Sequence, residues 1–164
     1  MRMASVPISW SQFTDAQPAF AAAVRNRFDA TKHHVLATLR ADGAPRVSGS
    51  EVQFYGGHLM AGMMPDSVKS ADLLRDPRYA VHSNPGDGSM ADGDAKIAGV
   101  AQLLDDPAEL VTYFTHLGME RPPDARVFRL LVGEVVLTSL HPDGDRLVIE
   151  SWHVGTGHRR RERE

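Results

Sequence analysis

Three short turn signals, each bounded by β-branched or aromatic residues, constrain the fold of this chain most strongly. Asp42-Gly43, Gly56-Gly57 and Asp143-Gly144 are dipeptides typical of two-residue β-hairpin loops. A hairpin joins strands that follow one another in the chain, so the two strands pair antiparallel. The sequence therefore predicts a fold dominated by antiparallel β-structure.

The residues between these turns alternate between apolar and polar, which indicates further strands. Strands are predicted at residues 33–40, 45–55, 58–64, 78–84, 95–104, 126–140 and 146–154, and helices at 17–30, 66–76 and 106–118. Because this many strands in a small domain favour closure, the prediction is a mainly β (α+β) fold. It consists of an antiparallel barrel of six to seven strands with flanking helices.

The bulk composition limits the classes of partner and compartment. A chain of 164 residues is most simply one domain, residues 1–164, with residues 1–16 as an amino-terminal extension and 156–164 as a charged tail. A net charge of −3 predicts no general attraction to nucleic acid or to a membrane surface. The chain has no cysteine, no long apolar run and no signal-peptide pattern, so a cytoplasmic protein is expected.

Lys69 occupies an unusual place in the predicted helix at 66–76. With Asp66 as the predicted cap, Lys69 falls in the first turn, where the helix dipole favours negative charge. One explanation is an anionic ligand held between the free backbone N–H groups and the ammonium group. The alternative is an ordinary ion pair with Asp66 or Asp72, each three residues away on the same helix face.

Several segments, taken in order, resemble one known family. They are residues 35–63, the helix from Asp66 with the pattern K-x-x-D-L-x-x-D-P-R, residues 95–103 and residues 147–157. This combination is similar to the pyridoxamine 5'-phosphate oxidase-like split barrels, which include flavin and deazaflavin oxidoreductases. The resemblance implies a split barrel that forms a homodimer. It also implies that FMN, or alternatively the deazaflavin coenzyme F-420, binds at the subunit interface.

The resemblance also implies where the cofactor phosphate and ring would lie. Ser67 and Lys69 would bind the phosphate, and Arg46 is a candidate for a second phosphate contact. Val47 and Ser48 lie on the strand along which family members place the cofactor ring. A polar outer face on a half-buried sheet explains the side chains of this strand equally well.

Three further residues complete the implied site. Met63 and Met64 could form an adaptable apolar floor, although methionines at such positions more often fill gaps in a core. Trp152 matches a tryptophan that family members place near the partner's cofactor, or else it is an ordinary buried aromatic residue. Only Trp152 and its neighbours Glu150 and Gly155 match the carboxy-terminal motif of true pyridoxamine phosphate oxidases, so vitamin B6 oxidation is not expected.

The eight histidines predict no metal site. His33 and His34 are adjacent on a strand, so they point to opposite faces, and no HExxH pattern occurs. His82, His116 and His153 could converge only through the fold. Some split barrels bind haem through a histidine, so haem is a less favoured cofactor.

The predicted function is that of an oxidoreductase that transfers a hydride to an unidentified small molecule. The sequence singles out no catalytic acid or base. The alternative is a non-catalytic protein that binds a cofactor, haem or another small molecule.

Overall fold

The computed structural model describes residues 6–86 and 88–164, and it is mainly antiparallel β-sheet with flanking helices. The helices are α1 Trp10–Ala16, α2 Pro18–Asp29, α3 Val68–Arg75 and α4 Pro107–His116. The strands are β1 His34–Leu39, β2 Pro45–Ser50, β3 Val52–Tyr55, β4 His58–Met63, β5 Arg78–His82, β6 Asp94–Leu103, β7 Arg126–Leu140, β8 Leu147–His153 and β9 Gly157–Arg163. The predicted fold class is confirmed.

The predicted hairpins form where the turn dipeptides lie. β1 pairs with β2, β3 with β4, and β7 with β8, all antiparallel. Gly43 and Gly57 adopt φ values of 84° and 77°, a region that suits residues without a Cβ. These local signals therefore set the register of three strand pairs.

The sheet is not closed, and this corrects the prediction of a closed barrel. Its order is β2-β1-β5-β6-β7-β4-β3, with β8 added to β7 and β9 added to β8. β2 and β3 stand at the two ends of this path, and only Glu51 separates them in the chain. A link of one residue is too short to form a hairpin, so β2 and β3 do not pair with each other. The chain instead runs directly from β2, at one end of the strand order, into β3, at the other end.

Two strands differ from the prediction. The predicted strand at 45–55 divides at Glu51, because its first half pairs with β1 and its second half pairs with β4. Residues 157–163, interpreted from their charge as a solvated tail, form β9 on the edge of β8, with their side chains largely exposed.

The long strand β7 organises the rest of the sheet. Its first half pairs with β4, its second half pairs with β8, and β6 runs along its other side. The β6–β7 register shifts between Ala98 and Gly99. A Cβ on Gly99 would stand 1.9 Å from the backbone oxygen of Leu131, so only glycine allows this close approach.

Helices α1 and α2 cover one face of the sheet. Ser9 and Gln12 cap α1 reciprocally, and the helix buries Trp10 and Phe13 in the main core. Residues 1–5 of the predicted amino-terminal extension lie outside the described residues. The part of that extension at 10–16 is a helix that the sequence analysis did not predict. None of the helices in 6–86 and 88–164 combines the length and the apolar character needed to cross a membrane.

Candidate functional site

The start of α3 forms one wall of the candidate site. Ser67, rather than the predicted Asp66, is the N-cap, because its backbone is extended and its Oγ accepts a hydrogen bond from the Ser70 amide at 3.4 Å. Asp66 has a φ of 59°, the left-handed region, and it lies before the cap. Lys69 therefore stays in the first turn, where backbone N–H groups have no intrahelical acceptors.

Lys69 links this helix start to strand β2. Its Nζ donates a hydrogen bond to the carbonyl oxygen of Gly49 at 2.7 Å. Burial lowers the pKa of Lys69 from its ordinary value. Among the described residues, Lys69 forms no ion pair with Asp66 or Asp72. The ion pair that would have explained Lys69 without a ligand is therefore not observed there.

A cavity of about 520 Å³ lies where β2, the end of β4, α3 and α4 meet. Four of the eight residues predicted for the site line it, namely Met63, Met64, Ser67 and Lys69. The remaining lining residues are His33, Gly49, Ser50, Glu51, Gln53, Gly62, Pro65, Tyr113, Phe114, Leu117, Met119, Pro122 and Ala125. The cavity is thus cationic at the helix start and apolar along α4.

Arg46 lies outside this lining and contacts Asp72 instead. Its Nε donates to Asp72 Oδ2 at 2.6 Å, Thr38 Oγ1 donates to the same oxygen, and Arg75 Nη2 donates to Oδ1. Burial of the Asp72 carboxyl raises its pKa, but these hydrogen bonds outweigh burial and lower the pKa to about 2. A second phosphate contact by Arg46 remains a prediction, and it would compete with this ion pair.

Val47, Ser48 and Trp152 also lie away from the cavity lining. Val47 is 69% exposed on β2, and Ser48 beside it is half-buried. Trp152 is buried in the main core, with its ring centroid 4.9 Å from that of Phe13. This position agrees with the ordinary buried aromatic that the sequence analysis left open. A role of Val47 and Ser48 beside the cofactor ring, and of Trp152 near the partner's cofactor, stays a prediction.

Two polar groups in the cavity were missed by the sequence analysis. Ser50 Oγ is fully buried with no hydrogen-bond partner among the described residues. Tyr113 is 1% exposed, and its hydroxyl oxygen would lie 3.8 Å from a Cβ placed on Gly62. Burial, with the charge of Glu51, raises the pKa of Tyr113 to about 12, so its hydroxyl is a donor. No local sequence pattern marks either residue.

The residues present fit a phosphorylated planar cofactor. The Lys69 ammonium keeps two N–H donors beyond its bond to Gly49, and the first-turn amides of α3 lie beside it. A Cβ on Gly49 would meet nothing within 4 Å, so open space lies above β2. The unpartnered Ser50 Oγ offers a further contact in that region. The donor set suits an anion, and the apolar wall suits a ring.

In the described part of the chain, the histidines do not form a common metal-binding site. His34 is buried, and its Nδ1 accepts from the Val52 amide, so its Nε2 carries the proton donated to the Phe28 oxygen. His33, by contrast, is exposed at the cavity rim.

The three histidines whose convergence depended on the fold lie apart. His82 lies near Asp94, His116 against the Tyr55 ring and His153 near Glu134, three separate neighbourhoods. Among the described residues, His141, Asp143 and Asp145 come close enough to hold a metal ion, but Arg146 already contacts all three. They form an ion-pair cluster.

No protein-family model matches the sequence, and no curated protein matches it either. Solved structures do match. A pyridoxamine 5'-phosphate oxidase-related, FMN-binding protein from Nostoc punctiforme is 12% identical with a TM-score of 0.67, over 90% of this chain and 96% of that one. PhzG from Burkholderia lata, solved with tetrahydrophenazine-1-carboxylic acid, is 15% identical with a TM-score of 0.65, over 94% and 93%.

A haem-binding protein from Mycobacterium smegmatis matches as well. It is 24% identical with a TM-score of 0.56, over 87% of this chain and 57% of that one. Likenesses at these identities establish the fold and leave the ligand open. By its architecture, the chain has the fold of the pyridoxamine 5'-phosphate oxidase-like FMN-binding split barrels.

Proposed function

We propose that the cavity beside α3 binds FMN, or the deazaflavin F-420, and that the protein is an oxidoreductase acting on a small molecule. One observation carries the proposal. Lys69, Ser67 and the first-turn amides of α3 stand at one end of a cavity whose other walls are largely apolar. The FMN-binding neighbour of the same fold supports a flavin over other phosphorylated ligands.

The phosphate end of the ligand would be held by charge and by backbone donors together. The Lys69 ammonium supplies charge-assisted hydrogen bonds, and the α3 dipole adds a favourable potential. Ser67 caps the helix and keeps its hydroxyl at the same edge of the cavity. Partial burial strengthens these interactions, because fewer water molecules screen the charges.

The ring end would lie between methionine and α4 side chains. Met63 and Met64 present flexible thioethers, and Phe114 and Leu117 form the opposite apolar wall. The Tyr113 hydroxyl can donate to a ring or substrate oxygen and orient it. A bound flavin or deazaflavin would supply the hydride chemistry, while these side chains exclude water and fix the ring.

We further propose that two copies of the chain close the cavity. Met64, which lines the cavity, is 79% exposed, and Val68, between the lining residues Ser67 and Lys69, is 57% exposed; Val47 on β2 is 69% exposed. Apolar side chains that face solvent around a site commonly mark a contact surface. A two-fold dimer is the commonest way to bury such a patch.

The absorption spectrum of protein purified from a host that makes flavin and F-420 tests the cofactor. A flavin or deazaflavin band is expected, followed by its bleaching under a chemical reductant. Turnover of an electron acceptor then distinguishes an enzyme from a carrier. Protein that stays colourless and binds neither added cofactor would contradict the proposal.

Lys69→Ala tests the phosphate contact. Loss of one charge-assisted hydrogen bond, about 1.5–3 kcal/mol, should lower cofactor affinity roughly ten- to a hundredfold. Lys96→Ala is the matched control, because Lys96 is an exposed lysine on β6 outside the cavity lining. Equal affinities for both variants and the parent protein would remove Lys69 from the site.

Haem is the second candidate, because one specific residue favours it. His33 lies at the cavity rim and its imidazole could ligate iron, and a haem-binding protein shares the fold. A Soret band in the same spectrum would support haem, and its loss in His33→Ala would identify the ligand. A spectrum that His33→Ala leaves unchanged would exclude that role.

A further inference from the structure

A second cavity, of about 400 Å³, lies where the first turns of α4 meet the β3–β4 hairpin. Its lining is Tyr55, Gly56, His58, Met60, Leu104, Ala108, Glu109, Thr112, Tyr113 and Arg129. Tyr113 is the one residue that this lining shares with the first cavity. The two cavities therefore present different chemistry to a ligand.

His58 is the first polar feature of this second cavity. Its Nδ1 is fully buried and has no hydrogen-bond partner among the described residues. Burial, and then the charge of Arg129, lower the pKa of His58, so the imidazole is neutral at neutral pH and offers one donor and one acceptor. A buried polar atom without a partner is rare in native proteins, and a bound molecule commonly satisfies it.

Arg129 and Glu109 form the second polar feature. Arg129 Nη2 donates to Glu109 Oε2, and the arginine side chain is 25% exposed whereas the glutamate is 52% exposed. Glu109 lies in the first turn of α4, where the helix dipole favours negative charge. Because Glu109 is the more exposed partner, its carboxylate can leave toward solvent while Arg129 stays at the cavity.

The remaining walls are apolar or aromatic. Tyr55 and Tyr113 pack edge to face at 5.6 Å between ring centroids, and Met60 and Leu104 are buried beside them. From this combination we propose that the second cavity binds a small aromatic carboxylate. Its ring packs against the tyrosines, and its carboxylate takes the place of Glu109 on Arg129. The imidazole of His58 donates to the second carboxylate oxygen.

Benzoate is the probe, with benzyl alcohol as the uncharged control, and calorimetric titration gives the affinity. Arg129→Gln should weaken benzoate binding by about tenfold or more, since it removes a charge-assisted bond. Glu109→Gln should strengthen binding several-fold, because the competing carboxylate is gone. This opposite response of two ion-pair partners distinguishes displacement from general loss of structure, which would weaken binding in both variants.

Three controls localise the effect. Arg78→Gln removes a surface arginine paired with Asp76 and should leave benzoate affinity unchanged. Lys69→Ala alters the first cavity and should also leave it unchanged. Nitrogen NMR of the His58 ring should shift with benzoate and not with benzyl alcohol. No saturable benzoate binding, or equal binding by the Arg129→Gln and Glu109→Gln variants, would overturn the proposal.

Discussion

At the scale of single residues, the most consequential arrangement is the one around Asp72. Its carboxylate is buried and accepts hydrogen bonds from Arg46, Thr38 and Arg75, which join β1, β2 and α3. From the sequence, Arg46 is a candidate for a second phosphate contact and Asp72 is a possible partner of Lys69. Pairs between residues 26 or 34 positions apart depend on the fold, and no spacing rule reveals them.

Asp72→Asn should destabilise the protein by about 1–3 kcal/mol at pH 7, because Arg46 and Arg75 lose their anionic partner. The pKa of Asp72 in the folded protein is depressed to about 2, so its ionised carboxylate contributes fully to folding stability at pH values above the ordinary carboxyl pKa of 3.8. That contribution is lost as the pH falls toward 2. Urea titrations at several pH values should show the gap between the two proteins closing with acid.

Asp29→Asn is the control, since Asp29 pairs with Arg25 at the surface, where both side chains are about half exposed, and should matter little. An Asp72→Asn protein as stable as its parent at pH 7 would mean that the buried network contributes nothing.

At the scale of elements, the sequence predicted those with strong local signals. The turn glycines gave three hairpins, and Pro18 with the apolar spacing of Phe20, Val24 and Phe28 gave α2. Helix α1 was missed because it is short, although the capping-box pair Ser9 and Gln12 could have revealed it. Strand β9 was missed because its charged residues hide the period of two.

Helix α1 contributes to the core through Phe13, which no solvent reaches and which contacts Trp10, Phe20 and Trp152. Phe13→Ala should therefore cost about 3–5 kcal/mol, by loss of burial and creation of a cavity. Asp15→Ala on the exposed face of the same helix should change the unfolding free energy little. Chemical denaturation of both variants measures the difference, and equal stabilities would contradict the packing of α1.

The β6–β7 bulge gives a second test at this scale. Gly99→Ala places a Cβ against the backbone of β7, so we expect a loss of about 3 kcal/mol or more, or failure to fold. Gly49→Ala is the control, because its Cβ would enter open space. Thermal melts should leave Gly49→Ala near the parent protein, and a stable Gly99→Ala protein would contradict the close approach.

At the scale of the whole molecule, the architecture was predictable but its closure was not. Hairpin signals determine the pairing of strands that are consecutive in the sequence. Closure of the sheet depends instead on where its two edge strands lie in space. The candidate site is also only partly predictable from local sequence. Lys69 and Ser67 could be predicted from the start of a helix, whereas Ser50 and Tyr113 line the cavity only because of tertiary packing.

The proposed dimer is tested at this scale. Light scattering should give twice the 18.0 kDa of one chain at micromolar concentration. Val68→Asp should weaken the dimer, since it puts a charge in the exposed apolar rim, while an aspartate in the first turn suits the helix. Val111→Asp is the matched control, because Val111 is 58% exposed on α4, away from the cavity lining. A parent protein of 18.0 kDa alone would contradict the dimer.

Because one edge of β2 is unpaired in the described chain, hydrogen exchange along β2 can report whether the protein dimerises. β2 has one hydrogen-bonded neighbour in the described chain, β1, whereas β5, β6 and β7 have neighbours on both sides. Amides on the open side of β2 should exchange with deuterium quickly in dilute solution, as those of fraying segments do. If a second copy covers that edge, the same amides should exchange slowly above the dissociation constant. The exchange half-life of one strand then measures association directly, without a label.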